Sequence, residues 1–177
     1  MKNIIGDLFT VNGFDAKAIT TNGFLKANGE AVMGKGCALK AKQMHPVLPK
    51  TLGSLIKHNG NQTQLIWSAI NYSLISFPVK PCYEFFDGSN AVKHMKSNFE
   101  IGQRMPGWAC KARLEIISQS AHQLVRLANH HEWNSVLLPR AGCGNGELSW
   151  EFEVKPILSK ILDGRFTSIS FKNGGLR

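Results

Sequence analysis

The sequence predicts an α/β fold built on a mixed sheet, and three observations carry that reading. Short apolar runs bounded by Gly, Asn or Pro alternate with segments whose apolar residues recur at helical spacing. The runs Gln64 to Ala69 and Ser73 to Phe77 are joined through Asn71 and Tyr72, a hairpin tip that makes this pair antiparallel. Two glycine-rich turns lie where the chain passes into a helix. With 177 residues, 43% hydrophobic, 19% charged and 10 Phe beside 4 Trp, the chain fits one domain with an apolar core, which excludes wholesale disorder. No apolar run approaches the roughly 20 residues of a membrane span.

The candidate strands, in chain order, are Asn3 to Ile5, Ala16 to Thr21, Gln64 to Ala69, Ser73 to Phe77, Val136 to Leu138 and Ser168 to Phe171. A helix runs from about Cys37 to His45 and stops before Pro46, because the residue preceding a proline is pushed out of the helical region. Leu114 to Asn129 carries Leu114, Ile117, Ala121, Leu124, Val125 and Ala128 on one helical face. Trp150 to Leu162 repeats the pattern, with Ser149 as its cap and Gly164 beyond its end, and Pro156 moves the start of the regular helix to near Lys155. Residues 81–111 break the rhythm, mixing Tyr83, Phe85, Phe86, Phe99 and Trp108 with Lys93, Lys96, Arg104 and Lys111. They read as a long basic and aromatic flap, or alternatively as a small helix near Ala91 to Phe99 packed on the core.

Lys and Arg number 21 against 12 acids, a formal charge of +9, which favours a polyanionic partner without specifying a fold. Cys37, Cys82, Cys110 and Cys143 form no CxxC pair, so neither a zinc ribbon nor a disulfide framework is expected. Reduced thiols and an N-terminus without a long apolar stretch predict a cytoplasmic protein.

Gly29 to Cys37 has nearly the spacing of a Walker A loop, but Gly36 stands where that loop needs Ser or Thr to hold magnesium, so a nucleoside triphosphatase is disfavoured. What remains is side-chain-free backbone at a helix N-terminus, where free amides and the helix dipole attract an anion such as a phosphate. In the second turn, Pro139 to Trp150, glycines at 142, 144 and 146 allow positive φ and close approach to a ligand. Either turn alone reads as a tight connection; together they favour a ligand with two or more phosphates.

Gly6-Asp7, Thr21-Asn22, Met33-Gly34-Lys35-Gly36 and Pro139 to Trp150 occur in an order that resembles the macrodomains, the ADP-ribose-binding family. The resemblance covers nearly the whole chain, 1–177, with 81–111 as an insertion. Its MGxG turn, its Gly-Cys-Gly-Asn-Gly turn and the lysine of Ser76-Phe77-Pro78-Val79-Lys80 resemble the branch holding DarG-type DNA ADP-ribosyl glycohydrolase antitoxins and terminal ADP-ribose glycohydrolases. The resemblance implies a three-layer α/β/α sandwich with a central mixed sheet of six or so strands.

It further implies that Asp7 receives the adenine amino group, with the Leu8 amide beside it, and that Asn22, Gly34 and Gly36 line the distal ribose. Lys35 and Cys37 share that turn as ligand-binding residues. Gly142, Cys143, Gly144, Asn145 and Gly146 would give amides to the diphosphate, and Phe171 either packs on adenine or belongs to the core. Lys80 matches the catalytic lysine, acting on the distal ribose either as an amine on the opened sugar or as a cation polarising the scissile bond. Gly146 stands where protein-directed members carry aspartate, with Glu147 one step on, which favours a DNA-linked over a glutamyl-linked substrate.

The function implied is hydrolytic release of ADP-ribose from a nucleobase, with no metal or diffusible cofactor, by a monomer that meets modified nucleic acid and no membrane. Arg104, Trp108, Lys111 and Arg113 of the flap would contact the modified strand. The alternatives are an ADP-ribose 1''-phosphate phosphatase and a non-catalytic ADP-ribose reader. Toxin-linked members often carry a further domain, for which 177 residues leave no room, so cellular repair or a virus acting in the host cytoplasm is the expected setting.

Overall fold

Alternation along the strands sets the architecture. The computed structural model describes residues 1–171. In chain order the strands are β1 (Lys2–Ile5), β2 (Ala16–Asn22), β3 (Gln64–Ser68), β4 (Ser73–Lys80), β5 (Tyr83–Phe85), β6 (Arg104–Pro106), β7 (Val136–Pro139) and β8 (Phe166–Ser170). The α-helices are α1 (Gly36–Met44), α2 (Leu48–Asn59), α3 (Leu114–His130) and α4 (Lys155–Ile161). One sheet has the order β1-β8-β7-β2-β4-β3, parallel except for the β3–β4 hairpin; β5 and β6 form a separate antiparallel pair. On β4, Ile75, Phe77 and Val79 join Ile117, Ala121 and Leu124 of α3 and Leu158 of α4 in one core. Leu74, with Ile19, Leu137 and Ile169, faces Ala38 and Ala41 of α1 and Leu52 and Ile56 of α2 in another. The result is a three-layer α/β/α sandwich on a mixed six-stranded sheet.

Several elements depart from the sequence reading for identifiable reasons. The sequence reading has no counterpart to α2, because Pro46 and Pro49 look like breakers; Pro49 lies in the first helical turn, where a missing N–H breaks no bond. Gly53 inside α2 is a packing requirement, since a Cβ there would stand 2.0 Å from the Gly29 carbonyl oxygen. The close contact holds the segment leading into the first glycine turn. Strand β4 continues past Phe77 through Pro78 to Lys80, because β3 begins only opposite Ser76 and β4 is an edge on that side from there on. Strand β8 begins at Phe166 rather than Ser168 and ends at Ser170, leaving Phe171 outside it.

Trp150–Val154 is π-helical and passes into α4 at Lys155, with Pro156 in the first turn. Ser149 caps it by accepting from the Phe152 N–H, while Glu153 accepts from the Ser149 N–H at 2.6 Å. The 81–111 segment is no unstructured loop. It comprises the β5–β6 hairpin and a 3-10 turn, Lys93–Asn98, around a cluster of its own: Phe86, Ala91, Met105, Ala109 and Cys110. Among the described residues no helix is long and apolar enough to cross a membrane.

Candidate active site

Five neighbouring strands are parallel, so their C-terminal ends share one edge of the sheet, the place where open α/β sheets bind ligands. There the chain leaves β1 at Gly6-Asp7, β2 at Asn22, β4 at Lys80, β7 at Pro139 and β8 at Phe171. A cavity of about 780 Å³ lies along this edge, and one of about 220 Å³ adjoins it, sharing Gly36, Cys37, Pro139, Ile169, Ser170 and Phe171. From β1 to β4 is four strand spacings, about 19 Å, so the cleft suits an elongated ligand.

Both glycine turns line the larger cavity. Gly36 opens α1 at φ +58°, presenting the helix N-terminus and its free amides to the cleft. In the second turn Gly142 has φ +72°, and Cβ atoms at 142 and 146 would crowd Ile117, Ala112 and the Gly142 carbonyl. Those two glycines serve the fold itself. Gly34 and Gly144 do not, since a Cβ on Gly34 would meet only Val32 at 4.0 Å and one on Gly144 nothing within 4 Å. Glycine at positions the fold leaves open keeps the backbone bare for a ligand. The Cys143 N–H bonds the Arg140 carbonyl at 3.3 Å, which commits an amide expected to face the ligand. Among the described residues the Gly144 and Asn145 amides have no such acceptor.

Lys80, 5% exposed, ends β4 in the wall of the larger cavity. Its Nζ donates to the Asn145 carbonyl at 2.9 Å and the Trp108 carbonyl at 3.2 Å, linking the second turn to the flap. Burial brings its pKa from 10.5 down to about 8, against the opposing influence of Cys110 and Glu147 and with help from the Lys35 charge. Two of the three substituent positions on Nζ are used by carbonyls. The third, a proton in the ammonium and a lone pair in the amine, is left for a ligand.

Asp7 and Leu8 line the smaller cavity. The Lys40 ammonium, hydrogen-bonded to Asp7 Oδ2, holds that carboxyl below its usual value, and the Phe9 N–H bonds Oδ1 at 2.8 Å. Asn22 lines the larger cavity, but its amide also donates to the Val32 carbonyl and accepts from the Phe24 N–H, both at 3.0 Å, so it orders the segment before the first turn. Phe171 is 71% exposed and touches both cavities, so it is no core residue. Burial raises the thiol of Cys37 and pushes that of Cys143 up to about 12, so both are neutral near pH 7 and neither supplies a thiolate nucleophile.

No protein-family model matches the sequence, and no curated protein matches it. Solved structures do. The macrodomain of Mycobacterium tuberculosis DarG superposes with a TM-score of 0.68 at 20% identity over 97% of each chain. That of Thermus aquaticus DarG gives 0.68 at 21% over 97% of each. The chain has the macrodomain fold. Thermosipho africanus DarTG, solved in complex with ADP-ribose, gives 0.66 at 18% identity over 95% of this chain and 40% of the other.

Onto this macrodomain fold the 81–111 segment brings His94, Met95 and Trp108 into the cavity wall. Lys35 Nζ lies 2.9 Å from His94 Nε2, and the Lys93 N–H donates to Glu147 Oε1 at 2.6 Å, so the segment touches both glycine turns. Glu147 holds φ +64°, a left-handed backbone rare outside glycine, with its carboxylate on this contact. His94, Met95, Arg140 and Lys40 carry no local sequence signal for the site; only the tertiary fold brings them there. Trp108 contributes to the cavity wall, and Arg113 is tied to Glu84 at 3.0 Å.

Proposed function

We propose that this chain binds ADP-ribose along the sheet edge and removes it hydrolytically from a nucleobase, DNA being the favoured carrier. The adenosine half lies toward Asp7, Leu8 and Phe171, the diphosphate between the two glycine turns, and the distal ribose beside Lys80. The likeness to DarG macrodomains supports the choice of ligand, and the cleft, about 19 Å between its outer strands, has the length for it. The observation that carries the enzymatic reading is Lys80. It is a buried lysine with a pKa of about 8, with one position on Nζ open, beside a turn whose Gly144 is left bare by the fold.

The net reaction breaks the bond between the anomeric carbon and the base nitrogen. The electron pair and a proton go to the base, and a hydroxyl from water ends on the sugar. As an amine, Lys80 would displace the base from the opened sugar to give a lysine imine, which water hydrolyses to restore the amine. As an ammonium, it would donate its third proton toward the departing nitrogen while water attacks the sugar. No thiolate or metal takes part in either route.

The test offers ADP-ribosylated single-stranded DNA, RNA and protein, and separately ADP-ribose 1''-phosphate, to the parent chain and to Lys80→Ala. Release from DNA by the parent, lost in the variant while calorimetry shows retained ADP-ribose affinity, is the expected result. Full turnover by the variant removes Lys80 from the chemistry. Binding without turnover in the parent assigns the chain as a reader, and release of phosphate alone assigns it as a phosphatase.

A further inference from the structure

The β5–β6 hairpin is apolar on both sides, which alternation along a surface strand does not require. Met105 points inward and is fully buried, packing with Phe86, Ala91, Ala109 and Cys110, while Glu84 is half-buried and meets Arg113 and Asn90. On the opposite face, where polar residues are the rule, Tyr83 is 46% and Phe85 63% exposed. Their rings meet edge to face at 6.3 Å and 87°. The Arg104 guanidinium stacks over the Tyr83 ring, 3.9 Å from its centroid. The three form a continuous aromatic and cationic strip facing outward.

Its position is informative. Tyr83 pairs with Pro106 and Phe85 with Arg104, so the Tyr83 end of the hairpin is the end that joins Lys80 on one strand and Trp108 on the other. Lys80 bonds the Trp108 carbonyl, and Tyr83 is three positions along the chain from Lys80, at most about 10 Å away. The strip therefore runs outward from the end of the cleft at which the scissile bond would lie.

We propose that Tyr83, Phe85 and Arg104 form a stacking platform for single-stranded nucleic acid, holding two or so nucleotides next to the modified one. Aromatic faces of this kind accept bases that are free of a duplex, Arg104 adds charge for phosphates, and the net charge of +9 favours the same partner. A duplex presents no free base faces, so it is the wrong shape for the strip. The nature of the occupant rests on the function proposed above, whereas the strip itself is separate from the ADP-ribose cleft.

The experiment measures fluorescence anisotropy of a labelled, unmodified twelve-nucleotide oligothymidylate on the full chain, across salt concentrations, beside calorimetry with free ADP-ribose. The variants are Tyr83→Ala with Phe85→Ala together, and Arg104→Ala alone. The double variant is expected to lose oligonucleotide affinity ten-fold or more, and Arg104→Ala to flatten the salt dependence by about one ion, with ADP-ribose affinity unchanged in both. Oligonucleotide affinity equal to the parent's in the double variant overturns the platform, as does equal affinity for a duplex. A parent that binds ADP-ribose but no oligonucleotide also overturns it and leaves the cleft reading intact. Platform-dependent oligonucleotide binding without ADP-ribose binding sustains the platform and sinks the cleft reading.

Discussion

Lys80 concentrates the chemistry of the site in one side chain whose two protonation states have different uses. With a pKa of about 8, roughly a tenth of the molecules hold the neutral amine at pH 7, against about three in ten thousand for an unperturbed lysine. If the amine attacks the sugar, the rate rises with pH and levels off above about 8; if the ammonium acts, it falls through the same range. A rate profile of the parent between pH 6 and 10 separates the two, and a flat profile removes both. The same shift governs stability. Because the folded pKa lies below the unfolded 10.5, the fold holds the ammonium less favourably than the unfolded chain does, so keeping Lys80 charged costs the fold about 3 kcal/mol at pH 7. The penalty is full below pH 8 and fades as pH rises to 10.5. Lys80→Met is therefore expected to unfold at higher urea than the parent at pH 7, with the gap closing toward pH 10; a gap that widens with pH contradicts the shift. The identity and place of Lys80 are legible in Phe77-Pro78-Val79-Lys80. Its burial is not, because its partners lie 28 and 65 positions away.

The second glycine turn shows how one element divides between fold and function. Gly146→Ala would put a Cβ 2.4 Å from the Gly142 carbonyl oxygen and 2.7 Å from the Ala112 Cβ, so the turn must open, at a cost of about 1–3 kcal/mol. Gly144→Ala meets no protein atom within 4 Å and should leave stability close to the parent's while weakening ADP-ribose, because its methyl would enter the space of the ligand. Urea unfolding and calorimetry on the two variants give this crossed pattern, and a stable Gly146→Ala or a fully binding Gly144→Ala breaks it. Sequence spacing alone cannot distinguish these glycines, since both belong to one motif. Helix α3 and the hairpin of β3 and β4 are legible because periodicity and turn residues are local. Helix α2 is hidden by Pro46 just before it and Pro49 in its first turn, and the internal structure of 81–111 depends on Phe86, Met105 and Cys110 meeting across the segment.

At the scale of the molecule, the sheet edge gathers five strand ends into one cleft, so a ligand that fills it connects elements from both halves of the chain. AMP would reach Asp7 and the diphosphate turns; ribose 5-phosphate would reach the Lys80 end and the flap. Each fragment loses its own translational and rotational freedom on binding, whereas ADP-ribose loses it once and gains both sets of contacts. At a hundred times its dissociation constant a ligand stabilises by about 2.7 kcal/mol, a rise in melting temperature of about 5–10 °C for a chain of this size. ADP-ribose is accordingly expected to raise the melting temperature by more than the two fragments' shifts added at equal concentration. In Gly144→Ala the excess should disappear, with the AMP shift reduced as well, because both ligands place phosphate at that turn. A shift with AMP equal to that with ADP-ribose would confine binding to the Asp7 end and detach Lys80 from the ligand. No shift with either would mean that the bare glycines face solvent and not a pyrophosphate.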